Sequence, residues 1–489
     1  MLFGILGLCP ILSADAQDIG NSFSEFRNKM LNEFQEHRKR VFDNYETFLE
    51  GVWRDYDTFR AAPSPFVKPK PAEQPQVQPD SQTAPELPQP VQPEVSIIPE
   101  PQPKPELQPK PEPESPVISP TQPKISVPEV TPQIDYLTFD FYGATIQIPR
   151  AYVSNPRSLN GSDLATSWKE LKQTTAVKSA TKALAAKAEA MSLPDWYVME
   201  LVTRYAITAA GGQLTDGAIL MVHHILSSMG YNVRLASSEQ GLLLLTGIEQ
   251  MVYARTYVTI NDVRYYVCLR DDCETLRTCD LPADADLGKS LDLVIHRAPL
   301  IPSRMHDFSV GNGRLSVSGQ VDANLIEMLR KYPQMPIPCY AASSLQTDMR
   351  RSIVGQLRNQ IQGMSQVDAV NALLHFVQSS FEYATDDQQF GYEKPFFLEE
   401  LFYWPKCDCE DRSVLYVYLL RECLGMDSHL INYPGHECAA VCLSEPLNGT
   451  YYDYEGCRYY ISDPTYIGAY TGMCMPDYRQ TPPKIEPWY

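Results

Sequence analysis

Cys407-Asp408-Cys409-Glu410-Asp411-Arg412-Ser413 runs straight into Val414-Leu415-Tyr416-Val417-Tyr418-Leu419-Leu420, an apolar stretch that Gly425 brings to an end. The apolar run with its glycine stop predicts a helix over 413–424. The unpaired N–H groups and the dipole at a helix start favour negative charge. A cysteine at such a helix start is expected to have a lowered pKa, the placement that a thiolate nucleophile needs. Cys409 lies nearer the helix than Cys407 and is the better candidate. Downstream, short β-patterned segments at 428–432, 438–443, 451–454 and 458–461 predict antiparallel strands. A helix followed by such a set implies an α+β domain.

A nucleophile needs a base. Two of the eight histidines follow Cys409. His436, in Tyr433-Pro434-Gly435-His436, opens the strand that contains Ala439-Ala440-Val441, whereas His429 lies inside a strand and reads as structural. Asp463 ends the strand Tyr459-Tyr460-Ile461-Ser462 and could hold the imidazole in its productive tautomer. Cys409, His436 and Asp463 are evenly spaced along the chain, since 436 − 409 equals 463 − 436. Spacing alone carries little weight.

The flanking residues carry more. Asp408-Cys409-Glu410-Asp411 with Leu419-Leu420-Arg421 and Leu424-Gly425 resembles the nucleophile helix of transglutaminase-like domains. Pro434-Gly435-His436 resembles their histidine segment, and Tyr460-Ile461-Ser462-Asp463-Pro464-Thr465-Tyr466 their aspartate segment. The resemblance covers roughly the last 120 residues, in that family's order. It implies a papain-like fold, with a nucleophile helix packed on an antiparallel sheet. It also implies acyl transfer by Cys409, His436 and Asp463 without a cofactor or metal. In that scheme the Cys409 thiolate attacks an amide carbonyl, His436 protonates the leaving amine, and water or a second amine takes the acyl group. The Cys409 amide would donate to the oxyanion, with Gln388, Gln389 or Trp404 as the second donor. The expected function is an exported cysteine peptidase or amidase acting on a protein or peptide. The alternatives are amine transfer, meaning protein cross-linking, or a non-catalytic envelope scaffold that keeps the fold.

Outward from this block (336–489), the chain divides into unlike parts. More than half of its 41 prolines fall within 61–133, in runs such as Pro99-Glu100-Pro101-Gln102-Pro103-Lys104-Pro105. Such sequence favours polyproline II, buries no core, and reads as a disordered linker or a spacer between an anchor and a working head. Residues 17–60 read as a helix over 22–60, with an aromatic stripe at Phe23, Phe26, Met30, Phe34, Val41, Tyr45, Phe48, Val52, Tyr56 and Phe59. The stripe repeats every ~11 residues, or three turns, and so predicts self-association or docking on an envelope surface. Residues 1–16 resemble a signal peptide, with an apolar run at 2–12 and Ala14-Asp15-Ala16 before the cut. A secreted or periplasmic location follows. The net charge of −19 argues against nucleic acid as a partner.

Residues 134–335 read as a second α+β domain. Asp216 to Gly230, then Tyr231-Asn232-Val233-Arg234, echoes Asp411 to Gly425 and the strand after it, and Tyr265-Tyr266 echoes Tyr459-Tyr460. The region is either a degenerate transglutaminase-like copy or a coincidence of common helix-strand patterns. No cysteine stands near Leu214, where a nucleophile would fall.

Overall fold

The computed structural model describes residues 54–57, 59–60, 135–270, 273, 275–278 and 288–486. Residues 17–53 of the expected aromatic helix, the signal segment and the proline-rich stretch lie outside them. The end of that helix is a correction. Arg54–Asp57 (β1) and Phe59–Arg60 (β2) are strands. Both pair antiparallel with the sheet of the middle region. A short segment with aromatic groups at Tyr56 and Phe59 suits either structure, and backbone pairing to a sheet edge decides the matter.

The middle region opens with the hairpin β3 (Tyr136–Phe141) and β4 (Ala144–Pro149). Four helices follow: α1 (Gly161–Gln173), α2 (Thr175–Ala190), α3 (Asp195–Ala209) and α4 (Asp216–Met229). Then come β5 (Val233–Ser238), β6 (Gly241–Gly247), β7 (Thr256–Ile260), β8 (Val263–Leu269) and β9 (Thr275–Thr278). The strand order β1-β9-β5-β6-β8-β7-β2 places β1 and β2 at opposite edges. One residue separates them in sequence, so a single stretch touches both edges and the sheet is curled on itself. Its two faces bury different cores. Leu235, Leu242, Leu244 and Tyr266 pack towards the main core, while Ala236, Leu243, Leu245, Val258, Val267 and Leu276 form a separate one. Burial on both faces explains the unbroken run Leu242-Leu243-Leu244-Leu245, which has no strand alternation to read.

His223 and His224 lie buried in α4, and the His224 ring meets Trp168 edge to face at 5.3 Å. Burial lowers both imidazoles, to about 3 for His223 (with His224 adding) and about 4 for His224 (with Lys172 adding). A histidine whose folded pKa is depressed contributes stability above the unfolded value of ~6.5 and loses it as pH falls towards the folded value. His224→Phe is therefore expected to lose less stability than the wild type between pH 7 and 4. The difference should be on the order of 3 kcal/mol, read by urea titration at each pH. Equal pH dependence of the two proteins would contradict the assignment.

The hairpin β10 (Met305–Gly311) and β11 (Ser316–Asp322) leads to α5 (Ala323–Leu329), α6 (Ile337–Ala342), α7 (Thr347–Ile361) and α8 (Gln366–Ser380). After β12 (Glu382–Tyr383) and the single-turn α9 (Asp386–Gln389), β13 (Lys406–Cys407) pairs parallel with β12. The apolar helix α10 (Cys409–Leu419) follows, extended by a π turn over Leu420–Leu424. It packs on the five-stranded sheet of β14 (Ser428–Tyr433), β15 (His436–Cys442), β16 (Tyr451–Tyr454), β17 (Cys457–Ser462) and β18 (Lys484–Ile485). The sheet order is β16-β17-β15-β14-β18. The fold is α+β. One hydrophobic core, from Leu137 to Tyr460, runs through both regions.

The echo between the two regions is present in three dimensions. Gly230 and Gly425 both close their helices in the left-handed conformation. The orders β5-β6-β8-β7 and β14-β15-β17-β16 are the same. The first hairpins share a register, with Ser238 opposite Gly241 and Tyr433 opposite His436. The offset along the chain is the same for both partners, since 433 − 238 equals 436 − 241. Tyr265 and Tyr266 face β6 as Tyr459 and Tyr460 face β15.

Candidate functional site

Asp408 and Asp411 form a reciprocal cap at the start of α10, in which the Asp408 amide donates to Asp411 Oδ2 at 3.3 Å. Asp411 Oδ1 also accepts from the Phe396 amide at 2.8 Å, so the preceding loop is tied to the first helical turn. Cys409 is the first helical residue and is buried. Ser413 Oγ lies 2.7 Å from the Cys409 carbonyl and 3.1 Å from that of Glu437, fastening α10 to the start of β15. That link brings the first turn of α10 beside the residue that follows His436.

His436 Nε2 and Asp463 Oδ2 are 2.8 Å apart, and both side chains are at least 93% buried. Asp463 Oδ1 accepts from the amides of Thr465 (2.8 Å) and Tyr466 (3.2 Å), a turn that fixes the carboxylate. Gln378, from α8, holds the same loop. Its amide nitrogen lies 3.0 Å from the Asp463 carbonyl, 2.8 Å from that of Tyr466 and 3.1 Å from that of Ala469. The Tyr478 ring lies flat against His436, with centroids 5.3 Å apart, and against Tyr433 at 4.8 Å. His436 and Asp463 are thus joined to each other, while Ser413 ties the first turn of α10, which begins with Cys409, to the start of β15. His429 sits among Tyr452, Tyr454 and Tyr459 instead, its ring 4.1 Å from that of Tyr459.

The thiol does not behave as the helix start predicts. Cys409 Sγ donates to Glu410 Oε2 at 3.1 Å. Burial first, and the carboxylates of Glu410 and Asp408 next, push its pKa well above the ordinary value. The dipole of a short helix is outweighed by dry surroundings and flanking negative charge. The oxyanion candidates are also not gathered. Gln388 is exposed on α9, Gln389 is half-buried, and neither bonds to the triad. The Trp404 indole N–H faces Glu400 Oε1 at 3.4 Å.

Sequence reasoning misses the acidic chamber behind Cys409. Asp386, Asp408, Glu410 and Asp411 are buried together, and Glu393 lies close enough for Glu410 to act on its carboxyl. Burial first and mutual repulsion next raise Asp386 to about 10 and Glu393 to about 8. Carboxylates so close cannot all stay charged without a cation. Asp386, Asp408 and Glu410 each offer an oxygen within 4.8 Å of the other two, and Asp408 Oδ1 has no hydrogen-bond partner. Oxygens bound to one calcium ion at ~2.3–2.6 Å are separated by no more than about 5 Å, so this set can surround a hard divalent cation. Adding millimolar calcium to chelator-treated protein should then raise Tm by several degrees, as a ligand specific to the folded state does. Asp386→Asn should lose that rise. An unchanged calcium response in the variant would exclude this donor set.

The positions in the middle region that correspond to the triad hold other chemistry. The offset between the two hairpins carries 409 to Leu214 and 436 to Gly241, and Arg270 follows β8 as Asp463 follows β17. Arg270 Nη2 bonds to Asp216 Oδ1 at 2.6 Å, and a Cβ on Gly241 would meet both groups. The signal for this is the helix-glycine-strand echo. Comparison with protein-family models, curated proteins and solved structures returns no match for the chain.

Proposed function

We propose that residues 336–489 form a transglutaminase-like cysteine hydrolase, a peptidase or amidase working by acyl transfer through Cys409, His436 and Asp463. The observation that carries this reading is the buried His436–Asp463 hydrogen bond at 2.8 Å beside a cysteine at the first position of a helix. The same three residues are those to which the sequence resemblance points. Such an aspartate orients the imidazole and stabilises it when protonated. Cys409 becomes a nucleophile when its thiol turns from Glu410 to the free nitrogen of His436 and gives up its proton there. Water is the default acceptor of the acyl group. Cross-linking by amine transfer needs in addition a guided amine. The middle region then serves as an inactive copy, because Leu214, Gly241 and Arg270 supply neither nucleophile nor base.

The bond from Cys409 to Glu410 and its raised pKa favour a second reading, a non-catalytic binding or scaffold protein that retains the fold. An electrophilic activity-based thiol probe separates the two. Under the first reading the full-length protein is labelled at Cys409, and both Cys409→Ala and His436→Ala lose the label. Labelling that is indifferent to His436, or absent altogether, would support the scaffold.

A further inference from the structure

Three cysteines within residues 336–489 lie on one face of the five-stranded sheet. Residues alternate between faces along a strand, so His436, Cys438, Ala440 and Cys442 of β15 point the same way. Residues directly opposite across an antiparallel pair share a face, which adds Tyr459 of β17, the partner of Cys442. Cys457 stands two residues before Tyr459 and therefore also lies on that face. It is the first residue of β17, after a two-residue turn in which Glu455 (φ 47°) and Gly456 (φ 83°) are left-handed. Cys442 is the last residue of β15, so the two cysteines sit at strand ends, where the ladder no longer holds the backbone rigidly.

The two are neighbours on that face: burial first, and the nearby Cys457 thiol next, push the Cys442 thiol up to about 11. Within residues 336–489 Cys457 is exposed, Cys442 and Cys423 are partly so, and Cys407, Cys409, Cys438 and Cys474 are buried.

We propose that Cys442 and Cys457 are a redox pair that closes to a disulfide on reaction with a small-molecule disulfide oxidant. Exposed Cys457, as thiolate, attacks one sulfur of the oxidant RSSR. A Cys457–SR bond forms and RS⁻ leaves. The Cys442 thiolate then attacks the Cys457 sulfur, forming the Cys442–Cys457 bond and releasing the second RS⁻. Two protein thiols give up two protons and two electrons, and the oxidant is reduced to two thiols. The bond joins the strand that opens with His436 to the strand that delivers Asp463. It fixes from outside the strand pair that carries the two residues, and Cys409 takes no part. The pair does not depend on the proposed hydrolase activity.

The test uses the full-length protein, equilibrated with oxidised glutathione or with dithiothreitol, alkylated, and cut with trypsin and a glutamate-specific protease. These cuts separate peptide 438–455 from peptide 456–458, the Glu445–Pro446 bond being resistant. After oxidation the two peptides are expected to be joined, and fragmentation should place the link at Cys442 and Cys457. The oxidised protein should melt roughly 3–6 °C higher than the reduced one, in line with closing a loop of about 15 residues. Cys457→Ser, a change at an exposed position, should lose both the link and the difference in melting. Recovery of Cys442 and Cys457 as alkylated free thiols would overturn the proposal. So would glutathione retained on Cys457, or a link from Cys457 to Cys438.

Discussion

Under the proposed hydrolase function, Asp463→Asn is expected to lower the rate of acyl transfer by about 10⁴-fold, the scale seen when a triad loses its aspartate but keeps its geometry. Asn can retain the Oδ1 contacts to the amides of Thr465 and Tyr466, so the turn after β17 survives. The atom that changes faces His436 Nε2, 2.8 Å away. An amide nitrogen there opposes an N–H on that ring nitrogen and drives the proton to the other one. His436 would then offer Cys409 a donor where the reaction needs an acceptor. Turnover should collapse while Tm and the near-UV circular dichroism stay close to wild type. A rate within tenfold of wild type would remove Asp463 from the catalytic set. A rate lost together with the melting transition would mean that the residue holds the fold instead.

Lys394→Met is expected to cost about 3–5 kcal/mol of stability, the range for breaking a buried ion pair from one side. Lys394 Nζ sits 2.6 Å from Glu400 Oε1, and the two side chains are 7% and 0% exposed. Glu400 keeps an amide hydrogen from Phe397 at 3.2 Å and the more distant indole of Trp404. These offset only part of an orphaned charge in a dry site. The Lys394 amide also donates to Asp386 Oδ2, so the pair bears on the chamber behind Cys409. Denaturant titration measures the loss. The double variant Lys394→Met with Glu400→Gln should recover most of it, since removing both charges removes the penalty. A double variant as unstable as the single one would show that the loss comes from packing.

The candidate triad is legible because each of its three residues sits in a short segment with its own local signature. A helix start marks Cys409, a strand start His436, and a strand end with a proline Asp463. What supports the triad is not legible. Gln378 reaches the Asp463 loop from a helix far upstream, and Asp386 joins Asp408 and Glu410 from a separate segment. Nothing in the sequence near Gln378 or Asp386 announces these contacts. The acids flanking Cys409 are visible, but a motif alone assigns the thiol's shift the wrong sign, because burial cannot be seen in it. Helix α3 escapes sequence reading because its first turn, Trp196, Tyr197, Val198 and Met199, is buried all round, and the polar face appears only from Glu200 through Thr203, Arg204 and Thr208. Strand β1 reads as helix because its partner, β9, lies on the far side of the proline-rich stretch and most of the middle region.

The curled sheet has a mechanical consequence. Arg54–Asp57 pairs with β9 and Phe59–Arg60 with β7, so two short ladders tie one stretch of chain to both edges of the same sheet. Tension applied upstream of Arg54 is borne by those two ladders. The load at which they part is set by the few backbone hydrogen bonds of Arg54–Asp57 and Phe59–Arg60, and their loss would strip both edges of the sheet together.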